Sequence, residues 1–235
     1  MTTADSPHRA DGWTAAVRQR LGLGRLLPLG GPADGAWIAE RAAAAVLRDA
    51  STGSGAVLGV LRIAPGDTPD TDGTPPGDPV PGPPSALPHG PLRIEAGFSA
   101  TARRPLTATA DALREALLTA ASRRLGLVVG EVDLRVTGLL EEEPGPAART
   151  ADEHHAAEPD GPAGAAAAGV PGVVSLTRVL GSPVQKEAGH VRVELSTAGD
   201  HRALDVARAV RGAVSAAVEG DPAVSVLVTA VVDRN

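Results

Sequence analysis

The chain has 235 residues, 43% of them apolar, enough for one large domain or two small ones. With 1% aromatics (Trp13, Trp37 and Phe98), no Cys and one Lys, Lys186, it lacks the residues for base-stacking platforms, aromatic cages, disulfides, thiol catalysis, zinc ribbons, iron–sulfur clusters or a Walker-type phosphate loop. The net charge is −6, but residues 65–91 and 141–170 together carry −10, leaving +4 elsewhere, so the acids solvate the Pro- and Gly-rich stretches.

The start, MTTADSPHRADGW, has no basic stretch followed by an apolar one, and no apolar run reaches the ~18–20 residues of a membrane-spanning helix. The expected location is therefore cytoplasmic. Asp11 caps a helix from about Trp13 to Leu21, whose apolar side is Trp13, Val17 and Leu21. With Arg18, Arg20 and Arg25 beside it, this stripe suits docking on the domain, or contact with a partner or membrane surface. LGLGRLLPLGG then breaks the helix.

Residues 36–50, AWIAERAAAAVLRDA, read as a helix with Ile38, Ala42, Ala45 and Val46 inward, and AVLGVLRIA as a strand at about 57–64. Ten prolines and five glycines among residues 65–91 exclude helix and sheet interior there, so a disordered or polyproline-type loop is expected. In LRIEAGF, Leu92, Ile94, Ala96 and Phe98 alternate with polar or small residues, as in a half-buried strand. Pro105 opens a helix to about Leu125, with Leu106, Ala110, Leu113, Leu117 and Ala120 on one face. EVDLRVTGLLE follows as a strand with Val132, Leu134, Val136 and Leu140 inward. Residues 141–168 read as an acidic linker. Beyond it come strands at about 170–180 and 191–196, a helix at 203–219 capped by Asp200 with Ala207, Val210, Val214 and Val218 inward, and a last strand at 223–233. Leu227 and Val231 make that strand apolar on both faces.

Both halves therefore run strand, strand, helix, strand. LRIEA at Leu92 matches VRVEL at Val191, VDLRVTGLLE at Val132 matches VSVLVTAVVD at Val224, and VLGV at Val57 matches VPGV at Val170. The expected fold is α+β: two similar strand–strand–helix–strand units, able to pair as a pseudo-dimer, with Pro/Gly-rich linkers. The divisions are 1–35 (N-terminal helix and Gly/Leu-rich segment), 36–141 (first unit, with the insertion 65–91), 142–168 (acidic linker) and 169–235 (second unit).

The pattern resembles the alkaline shock protein, or envelope stress response, family. AERAAAAV before VLGV, the helix DVARAVRGAV, and the closing strands VSVLV and VDLRV carry the resemblance over about 36–141, less the insertion, and 168–233. The closing strands lack the Asn often found there in the family, and the Ala/Gly-rich stretch 163–169 stands in place of the second unit's leading helix. The resemblance implies a tandem bacterial member: a non-enzymatic stress- or envelope-linked protein held in place by partners.

No catalytic, metal or cofactor site is expected. His154 and His155, with Asp152, Glu153, Glu158 and Asp160, form the one His/acid cluster, but on a linker that supplies no outer shell to orient ligands. Asp200–His201 has the composition of an acid–base pair, yet lies at a helix start. The arginines of helix 105–125 sit at its two ends rather than in one patch, so no nucleic-acid partner is expected. The expected function is a non-catalytic interaction or scaffold protein, self-associating or bound to a protein partner, and brought to a membrane only through that partner. Its candidate partner-binding residues are Trp13, Val17, Leu21, Leu227 and Val231. The alternative is a small-molecule-binding regulatory module using the groove between the units. A deep polar cavity lined by converging ionisable groups would count against the scaffold reading.

Overall fold

A computed structural model describes residues 22–67, 80–83, 85–142, 156–187 and 189–233. It is a mixed α+β fold with two sheets. Trp13, Val17 and Leu21 lie outside the described residues, as do His154 and His155.

The first strands are unlike those expected. Leu26–Leu29 (β1) and Ala36–Ala39 (β2) form an antiparallel hairpin. LLPL thus extends as a strand instead of breaking a helix. Pro28, which has no N–H for the ladder, sits on an edge strand. Residues 36–39 are likewise strand; Trp37 and Ile38 are better strand than helix formers, and the helix starts at Glu40. Helix α1, Glu40–Ala50, buries Ala42, Ala43, Ala44, Val46 and Leu47, so Ala45 lies on its open side.

The first unit continues through β3 (Ala56–Pro65), β4 (Leu92–Thr101), α2 (Leu106–Thr119) and β5 (Val129–Leu140). Helix α2 buries Leu113 and Leu117, as the spacing predicts, and ends in a π turn, Ala120–Leu125, closed by Gly126 in the left-handed region. The strands form a sheet in the order β3-β4-β5, with β3 antiparallel and β5 parallel to β4.

The second unit repeats this topology. The span read as linker contains a two-residue strand, β6 (Ala156–Ala157), and a helix, α3 (Gly161–Ala168). The second unit therefore has its leading helix after all, packed on α4 and β7. Then come β7 (Val173–Thr177), β8 (Val184–Glu187), β9 (His190–Ala198), α4 (Ala203–Ala217) and β10 (Ala223–Val232). β7 and β8 both lie antiparallel to β9, on successive halves of it, and β10 lies parallel to it.

The closing-strand match is the one the register supports. Thr137 and Thr229, aligned in sequence, are both bulge residues. Their hydroxyls donate to equivalent carbonyls, Thr137 to Phe98 at 3.1 Å and Thr229 to Leu195 at 3.2 Å. With these superposed, Ile94 rather than Leu92 takes the place of Val191, a two-residue slip that keeps every side chain on its face. VLGV lies within β3, whereas VPGV mostly precedes β7.

The units are interleaved. β2, at the very start of the first unit, pairs in parallel with β10, giving the larger sheet the order β1-β2-β10-β9-β7-β6. Helix α1 touches both β10 and the π turn. Arg124 bridges Asp49 at 2.8 Å and Asp233 at 3.3 Å, and Gly30 donates to the Gly126 carbonyl at 3.0 Å. One apolar core runs through both units.

Candidate functional site

β9 and β10 turn Val191, Val193, Leu195, Val224, Val226 and Val228 to one face of the larger sheet. The opposite face carries Arg192, Glu194, Ser225 and Leu227, with Trp37 beside Leu227 on β2, and all of them are buried. Two segments cover that face. Residues 80–83 and 85–91 of the Pro-rich insertion bring Gly82 and His89 against the Trp37 ring, His89 edge-on at 5.4 Å. The turn between β7 and β8 wraps Glu194, whose carboxylate accepts from the N–H groups of Val179 at 2.8 Å and Leu180 at 2.9 Å.

Burial pushes the Glu194 carboxyl above the usual range, against those two N–H groups and the charge of Arg192. Arg192 reaches Gln185 and Glu194 through one terminal nitrogen, while its Nε is buried without a hydrogen-bond partner among the described residues. His190 meets the Ser225 hydroxyl at 2.9 Å, and burial holds its pKa below the ordinary value.

Between this face and Pro81, Gly82, Pro83 and Ser85 lies a cavity of about 690 Å³. Leu26, Pro81 and Leu180 give it apolar wall; His190 and Arg192 lie on its floor, and Arg25 and Glu40 at one end. Arg25 and Glu40 pair at 3.1 Å, and the same arginine reaches the Ile63 carbonyl on the outer edge of β3. Burial raises Glu40, but the Arg25 guanidinium, with the Arg25 and Ile63 N–H groups, outweighs it and leaves its pKa below the carboxylate range. The cavity has the size and mixed lining of a small-molecule site.

Leu227, predicted to bind a partner, is fully buried, and Val231 is half-buried. The apolar second face of β10 serves the interior because the insertion covers it, while β2 extends the same sheet beside it. Asp200 and His201 meet at 2.8 Å in an exposed pair. Among the described residues no group of three His, Asp or Glu is placed to hold a metal ion, and no helix is long and apolar enough to cross a membrane. The cavity escaped the sequence reading because its walls come from three distant segments; Glu194 in the apolar strand HVRVELS was the one local signal.

The smaller sheet contrasts with the larger. The face of β4 bearing Arg93 and Glu95, and of β5 bearing Asp133 and Arg135, is open, and Val60 (71%), Leu139 (65%) and Val136 (43%) are exposed. Comparison with family models, with curated proteins and with solved structures found no match.

Proposed function

We propose that this chain is a non-catalytic interaction protein that docks partners on the smaller sheet. The observation that supports this is the difference between the two copies of one fold unit. In the second, β10 is edged by β2 and the outer face is roofed. In the first, the β5 edge and the outer face are bare: Val60 is exposed on the outer face among Arg62, Arg93 and Asp133, and Val136 and Leu139 are exposed on the helix side of β5 beside its open edge. Exposed apolar side chains around an unpaired strand mark interaction sites. The resemblance to the alkaline shock family points the same way, toward a partner-held role in stress or envelope biology. The test is affinity purification of the full chain beside a Val60→Glu/Leu139→Glu variant. Both positions are exposed, so the melting temperature should hold while specific partners disappear. An unchanged set of partners on a folded variant refutes the proposal.

The cavity supports a second reading, a small-molecule-binding regulatory module. Its occupant would set an apolar body against Leu26, Pro81 and Leu180 and a hydrogen-bond acceptor or anionic group toward Arg192 and His190. Medium-chain carboxylates are the natural probes. A rise in melting temperature that Arg192→Met abolishes supports this reading, and no shift with any probe removes it.

A further inference from the structure

Strand β5 has a bare edge along its whole length among the described residues, whereas on the opposite edge of the sheet Arg25 and Glu40 occupy β3 at Ile63. β6 covers β7, β2 covers β10, and Ala86 and Leu87 cover β1. The second unit shows what this edge accommodates: β2 pairs with β10 at Val226, Leu227 and Val228, which correspond to Leu134, Arg135 and Val136. β5 also has neither the Lys nor the Pro that commonly blunts such edges.

Its sequence is self-complementary. Reading outward from Leu134 in VVGEVDLRVTGLL, Asp133 mirrors Arg135, Val132 mirrors Val136, Glu131 mirrors Thr137, Gly130 mirrors Gly138, and Val128 and Val129 mirror Leu140 and Leu139. An antiparallel strand crossing a copy of itself at Leu134 places every one of these pairs face to face. Val132, Leu134 and Val136 share the face of Ile94, Ala96 and Phe98, while Asp133 and Arg135 share the opposite one. Valines therefore meet valines over the helical layer and each Asp133 meets the other copy's Arg135 in solvent. The β4–β5 bulges fall at Gly130 and Thr137, leaving the central Glu131–Val136 regular. Arg135 makes no ion pair within the chain among the described residues, whereas Asp133 bonds Arg93 through one oxygen.

We propose that β5 pairs antiparallel with β5 of a second copy, centred on Leu134, so that the two three-stranded sheets become one six-stranded sheet across a two-fold axis. This rests on the reading of the smaller sheet as a docking surface and names the occupant of its edge. The interface is small, so the dimer is weak and concentration-dependent.

The test is the molar mass of the full chain by sedimentation across a concentration series. The wild type should move from monomer to dimer. Asp133→Arg places two arginines opposite two arginines, and Arg135→Asp places two aspartates opposite two aspartates. Each should raise the dissociation constant about tenfold, as two symmetry-related pairs turn from attraction to repulsion. Mixed one to one, the two variants should form a heterodimer at least as tight as the wild type, since the mixture restores both pairs. Circular dichroism confirms that each is folded. A wild type that stays monomeric at its solubility limit, or single variants that dimerise like wild type with no preference for each other, overturns the proposal. If the chain stays monomeric while the Val60→Glu/Leu139→Glu variant still loses its partners, the docking surface stands and only self-pairing fails.

Discussion

Gly126 holds the two units together at one point, and replacing it with Ala measures how tightly. It closes the π turn at φ +93°, and its carbonyl accepts from Gly30 at 3.0 Å. A Cβ there would stand 2.9 Å from Leu204 Cδ2 and closer still to Leu204 Cβ, and Leu204 is buried in the first turn of α4. The left-handed conformation costs about 1–2 kcal/mol for a residue with a Cβ. Overpacking adds about 1–3 kcal/mol. Gly126→Ala should therefore destabilise the protein by about 3 kcal/mol, lowering the melting temperature by roughly 10 °C. Urea unfolding gives the free energy, with an unchanged slope showing that the unfolded state is the same. Leu204→Gly deletes the Cβ, Cγ and Cδ2 that the new methyl would meet, so the double variant should be more stable than the sum of the singles predicts, by about 1–2 kcal/mol. A Gly126→Ala protein within about 0.5 kcal/mol of wild type, or strict additivity with Leu204→Gly, would refute a close unit–unit contact here.

Three further outcomes are expected. Gly212 lies exposed inside α4 with nothing near its missing Cβ, so Gly212→Ala should raise stability by about 0.5–1 kcal/mol in the same urea assay. Leu227→Ala should cost about 2–5 kcal/mol as a core truncation, whereas a partner-contact residue would melt like wild type. Burial lowers the pKa of both His89 and His190, so the unfolded chain takes up protons that the folded one refuses. That part of the stability is present above about pH 6.5 and falls as pH drops through the folded values. Glu194, raised by burial, has the opposite sign, and Asp34, held down mainly by its hydrogen bonds with Arg208, loses its contribution only in more acidic solution. Urea midpoints between pH 7 and 5 should therefore fall less steeply in a His89→Gln/His190→Gln variant than in wild type; equal slopes would contradict the burial of these rings.

Periodicity made the middle of each unit legible. β4, α2, β9, α4 and β10 were readable because an amphipathic stripe or alternation ran through each. Where composition was uniform, the pattern failed. Trp37 and Ile38 run straight into an Ala-rich helix, so β2 was absorbed into it, and only pairing with β1 and β10 makes it a strand. Seven of the eight residues of α3 are alanine or glycine, the exception being Pro162, with no polar side to set a face, so its helicity comes from packing on α4. VQKE of β8 has no strand signature and is held by register against β9. Leu227 looked like a contact surface because nothing local says that a hairpin will pair beside it and a Pro-rich segment lie over it, both remote in sequence.

The pairing of β2 with β10 joins Ala36 to Val226, about 190 residues away. A ribosome would release the beginning of this chain long before the strand that receives it exists. The first repeat thus cannot finish folding on its own schedule, although duplicated modules commonly mature one after another. Cutting between residues 142 and 156 would not liberate two autonomous modules: each fragment would lack a strand or a neighbour, and native structure would return only on mixing them. Two units of one topology supply the parts, and one short hairpin paired across them makes them inseparable.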